Sequence, residues 1–72
     1  MTPIQAAAMS VDALGVWLAE RALVLEVKQD LMSGLYEAEI YTQGMPRSLL
    51  VRTTCTNWAG AVGVSVAEAS KR

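Results

Sequence analysis

Histidine is absent from the 72-residue chain, and Cys55 is its only cysteine. One thiol cannot form an internal disulfide. Without imidazole, zinc would rest on a single thiolate and carboxylates, which is no structural zinc pattern. The same absence leaves Cys55 and the serines at 10, 33, 48, 65 and 70 without the usual base that activates a nucleophile. Charge is sparse, at 18% of residues with a net value of −1. Only Arg47, Arg52 and the Lys71–Arg72 pair are placed to contribute a basic face, so direct nucleic-acid binding is not expected. Long apolar runs are missing too. The apolar start lacks the positive region of a signal peptide, and Asp12 and Glu20 interrupt it before a membrane span of about 20 residues is complete. A lone thiol suits a reducing compartment, which points to a chain made in the cytoplasm. The glycines at 34, 44, 60 and 63 do not form a phosphate-cradling loop. The carboxylate pairs Glu37/Glu39 and Glu26/Asp30, the second read as four apart on a helix, are taken as solvated faces rather than acid–base machinery. No enzyme, cofactor or metal is indicated.

What is present is apolar. Hydrophobic residues make up 53% of the chain, above the roughly 45–50% of globular domains. A single domain of this length buries only about 60% of the surface its unfolded chain exposes. Its core rarely supplies more than about 3–5 kcal/mol without a disulfide, a metal or a partner. An apolar excess in so small a body leaves hydrophobic surface outside, where it marks an interaction site.

Residue patterns predict an α+β fold in one domain, residues 1–72. Thr2-Pro3 is a helix start, and Ser10 a second, with Asp12 in the first turn. Val11, Leu14, Leu18, Ala22 and Leu25 form one helical stripe, and Trp17, Val24 and Leu31 a second. These favour a helix to about residue 32, with Gly34 as its left-handed cap. The competing reading is a strand over 23–30, where Leu23, Leu25 and Val27 alternate with Glu26, Lys28 and Asp30. It would make the sheet three-stranded. Leu35 to Thr42 and Ser48 to Cys55 alternate as an antiparallel hairpin around Gln43-Gly44-Met45-Pro46. Arg52 would return across from Glu37 or Glu39, a pair that sets register. Thr56 or Asn57 then caps a short C-terminal helix whose face is Trp58, Val62, Val66 and Ala69. Gly60 and Gly63 weaken that helix but let another backbone come close; a strand over 61–67 is the alternative.

Asp30-Leu31-Met32-Ser33-Gly34, the alternating segment after it, Gly44 and the returning strand resemble the lambda-type phage head-completion protein W family over about residues 25–55. In that family a first helix ends in a similar run, a hairpin follows and a second helix closes the domain. The chain departs from the pattern in its longer N-terminal stretch, in Pro46 beside the turn, in its glycine-containing last helix and in having no long basic tail. The resemblance implies a small protein docking in multiple copies on a portal or head–tail connector ring, and hence in the virion.

Two functions therefore compete. One is a structural assembly component of that kind, with its own copies or a portal or tail ring as partners. The other is a small regulatory or inhibitory module acting on one partner. Neither involves a membrane or a small-molecule substrate. The expected interface residues are Trp17, Val24 and Leu31 on the second stripe, Met45 and Arg47 at the hairpin tip, and Trp58. Tryptophan is enriched at interface hot spots, although Trp17 and Trp58 packing together in the core is an equally good reading.

Overall fold

The computed structural model describes residues 1–72. In chain order the elements are α1 (Pro3–Ala7), α2 (Val11–Glu20), β1 (Leu23–Gln29), β2 (Tyr36–Thr42), β3 (Leu49–Cys55) and α3 (Trp58–Ala69). The strands form an antiparallel sheet in the order β1-β2-β3. The helices cover one face of it and leave the other open. The architecture is α+β, with the sheet three-stranded.

The helix starts lie where the caps predict. Thr2 Oγ1 accepts from the Gln5 amide and the Gln5 side chain accepts from the Thr2 amide, a reciprocal capping box, with Pro3 in the first turn. Ser10 Oγ accepts from Ala13 N, and Asp12 sits where the helix dipole favours an anion. Asn57, not Thr56, caps α3 by accepting from Gly60 N.

The long helix to residue 32 is not formed. α2 stops at Glu20, Arg21 N bonds back to Leu18 O, and Ala22 takes a left-handed φ of 53°. From there residues 23–29 pair with β2 along their whole length, from Leu23↔Thr42 to Gln29↔Tyr36. The local preference was divided between helix-forming Leu, Glu, Lys and Gln and strand-forming valines. Pairing with β2, and burial of the Leu23, Leu25 and Val27 face, settled it. Gly34 is left-handed, with φ 76°, but it belongs to the β1–β2 turn rather than to a helix end. That turn is organised by Asp30, whose carboxylate accepts from Met32 N and Ser33 Oγ. Glu26 and Asp30 are thus not neighbours on a helix.

The second strand carries the alternation read from the sequence. Ala38 and Ile40 are fully buried against the helices. In β3 Val51 lies opposite Ile40, and a register shift between Ile40 and Tyr41 sets Tyr41 against Leu49. The extra residue lets the adjacent Leu50 and Val51 both reach the core, as a bulge does. Above the sheet α3 buries Val62, Val66 and Ala69, and α2 contributes Trp17, only 8% exposed. The core joins these to Leu23, Ile40, Val51 and Ala6.

Gly63 is what lets α1 join this layer. A Cβ built there would stand 2.5 Å from the Pro3 carbonyl oxygen and 3.0 Å from Ala7 Cβ. The first helix lies against α3 almost backbone to backbone. No helix is long and apolar enough to cross a membrane.

Candidate functional site

Six residues were expected at an interface, and the fold distributes them over separate places. Trp17 is in the core. Its ring supports the Arg21 guanidinium, 4.3 Å from the ring centroid, while Arg21 Nη1 donates to Trp17 O at 3.0 Å. Trp17 therefore holds the end of α2 and is unavailable to a partner. Val24 is half-buried in β1, and Leu31 is 90% exposed in the β1–β2 turn. The stripe that linked Trp17, Val24 and Leu31 does not exist, because α2 ends before Val24. Trp17 and Trp58 do not share the core either, since Trp58 opens α3 with 50% of its surface exposed.

Apart from Val64 on α3, the large exposed apolar side chains gather at the ends of the sheet and in the N-terminal segment. Gln29, Tyr36 and Cys55 are level with one another in the register, so the β1–β2 turn and the β3–α3 junction occupy the same end. That end presents Leu31, Met32, Leu35 and Trp58. The opposite end presents Met45, 97% exposed in the β2–β3 loop, and Leu49 at the start of β3. Arg47 is not free there: it donates to Glu26 Oε2 at 2.8 Å and lies over the Tyr41 ring at 4.7 Å. Ile4, Val11 and Val16 add exposed apolar surface on α1 and α2. Composition suggested such surface, but which residues carry it depends on where the chain turns.

Charge is concentrated on the open face of the sheet. Pairing places Glu39 opposite Arg52, as the alternation proposed for one of the two glutamates. Glu39 was also expected to be solvated, and it is not: only 1% of it is exposed. No secondary-structure element covers it. The side chains of Lys28 and Arg52 close over it from the neighbouring strands, as long cations do with their stems. Arg52 Nε and Nη2 both donate to Glu39 Oε2, at 3.0 and 2.8 Å. Oε1 makes no well-directed hydrogen bond, and its compensation is the Lys28 ammonium 3.0 Å away. The Arg52 guanidinium first, and then Lys28, hold the Glu39 carboxyl down at about 2 against burial acting the other way. Glu39 in turn raises Lys28 and Arg52. A carboxylate held this firmly ionised is poorly suited to proton transfer near neutrality. The network joins all three strands through one carboxylate.

A shallow cavity of about 450 Å³ lies between the start of β1 and the end of α3, bordered by Arg21, Leu23, Leu50, Ala69 and Arg72. It holds no thiol or carboxylate side chain. Cys55 is half-buried at the end of β3, and Ser65, fully buried in α3, donates to Val62 O. No cluster of three or more cysteine, aspartate or glutamate side chains is placed to hold a metal ion. No family model, curated protein or solved structure matches the chain.

Proposed function

We propose that the chain is a non-enzymatic assembly subunit, one that completes its folding stability by docking against other protein subunits. The observation that carries this is the imbalance between inside and outside. Only 14 of 72 residues are buried, while Leu31, Met32, Met45 and Trp58 remain at least half exposed at the two ends of the sheet. Apolar surface of this kind at the tips of a small sheet fits contact with neighbours on two sides, which is the geometry of a subunit in a ring. The concrete setting is a phage head–tail connector, with several copies seated on a portal or tail ring. Asp30, Leu31, Met32, Gly34 and Gly44 support it by type and spacing, with Ser33 standing for a threonine. Their context tempers that support, because the run that would end a helix in the head-completion family is here a turn between two strands. Met45 and Trp58 are the interface residues carried forward, with Leu31; Met32 and Leu35 join them.

The test is capture of the tagged chain from cells in which it is naturally made, with the mass and composition of the complex determined. Recovery in a large symmetric particle containing ring or capsid subunits supports the reading. Recovery with one small partner, in a defined stoichiometry, overturns it in favour of a regulatory module.

A further inference from the structure

The outer edge of β1 has no strand beside it. The bonds that frame the β1–β2 ladder run from Gln43 N to Ala22 O and from Asp30 N to Leu35 O, so the even-numbered residues of β1 face β2. The amides and carbonyls of Leu23, Leu25, Val27 and Gln29 point the other way, and no backbone bond joins them to another segment. Such an edge is a template for a further strand.

We infer that this edge pairs with the same edge of a second copy, antiparallel and centred on Val27, making a continuous six-stranded sheet across a two-fold axis. The argument is charge complementarity. Glu26 and Lys28 stand two residues apart on the open face of β1, both exposed. Centred on Val27, the two-fold axis sets Glu26 of each copy opposite Lys28 of the other, giving two opposite-charge pairs. A shift of one step in centre sets Glu26 against Glu26, or Lys28 against Lys28. The other edge offers no equivalent, because Arg52 is the only charged residue in β3. Glu26 and Lys28 already touch Arg47 and Glu39, but a carboxylate and an ammonium each keep capacity for a further partner. The result is a row of alternating charge across the joined sheet: Arg52, Glu39, Lys28, then Glu26 and Arg47 of the second copy. On the covered face Val27 meets Val27, and the half-buried Leu25 gains cover. The same register brings exposed Leu31 level with Leu23 of the second copy.

This inference goes beyond the assembly reading, since it uses the β1 edge rather than the apolar ends of the sheet, and it is tested on the isolated chain, so its failure is distinct from failure to recover a ring. Sedimentation equilibrium should show a monomer–dimer equilibrium. In hydrogen exchange the amides of Leu25, Val27 and Gln29 should slow as concentration rises. Glu26→Lys, which sets lysine against lysine twice, should weaken the dimer about ten-fold. A synthetic chain N-methylated at Val27 loses one outward donor and no intramolecular bond; it should be monomeric with an unchanged far-ultraviolet spectrum. A monomer at every concentration reached, or a dimer indifferent to both changes, overturns the proposal.

Discussion

Single residues in this chain act through what stands next to them, and the glycines make the point. Gly15, in α2, has no atom within 4 Å of where a Cβ would be, whereas at Gly63 that Cβ would stand 2.5 Å from the Pro3 carbonyl. Gly15→Ala should therefore stabilise the protein by about 0.5–1 kcal/mol, the helix-propensity difference alone. Gly63→Ala should destabilise it by about 1–3 kcal/mol despite the same propensity gain, because α1 must move away. Urea denaturation of both variants checks the pair; equal effects would mean that α1 is not seated on α3. The two tryptophans separate in the same way. Trp17→Ala should cost about 3–5 kcal/mol, comparable to the whole stability of so small a domain, and leave it unfolded at room temperature by circular dichroism. Trp58→Ala should leave the fold intact and lose the captured particle. An unfolded Trp58→Ala chain would place Trp58 in the core instead.

Among the elements, one buried carboxylate in β2 bonds to side chains of both neighbouring strands, and its consequence is a dependence on acid. Glu39 in the folded chain titrates at about 2, below its ordinary 4.5. The folded state thus prefers the ionised form, and that contribution is complete above the ordinary value and lost as pH falls toward the folded one. Asp30, lowered first by the Met32 amide and then by the Ser33 hydroxyl, adds an effect of the same sign. Thermal midpoints should be level above about pH 6 and fall between about pH 5 and 2. Glu39→Gln should be less stable at neutral pH, since Lys28 and Arg52 lose their shared anion, and its acid limb should be shallower. An acid limb of unchanged depth would remove Glu39 from this role. At the start of α3, Asn57→Ala should cost about 1 kcal/mol through loss of the cap, read by the same denaturation.

At the scale of the molecule, a thin helical layer covers one face of a three-stranded sheet. The other face is closed only by its own long side chains, and apolar residues are left at both ends. Little interior volume is available to offset the chain entropy lost on folding. In the proposed assembly neighbouring subunits would supply further contacts, and stability should rise with protein concentration if β1 edges pair. A thermal midpoint that stays constant over a hundred-fold range of concentration would argue against that coupling.

Several features were legible in the residues themselves. Thr2-Pro3, Ser10 and Asn57 mark helix starts because their side chains bond amides one turn away, and the β2 and β3 segments show the two-residue period of strands. Gly63 could be read as a place for close approach, though not which backbone approaches. Composition alone implied exposed apolar surface. Tertiary structure decided the rest. Residues 23–29 carry both periodicities, and only pairing with β2 turned them into a strand, which dissolved the stripe through Trp17, Val24 and Leu31. Glu39 looked solvated because its alternation puts it on the outer face. Its burial comes from Lys28 and Arg52, 11 and 13 residues away in sequence, meeting over it only when all three strands are aligned. Local hydrogen bonds and periodicity are written within a few residues; the identity of a strand and the burial of a charge depend on partners that the chain reaches only by folding.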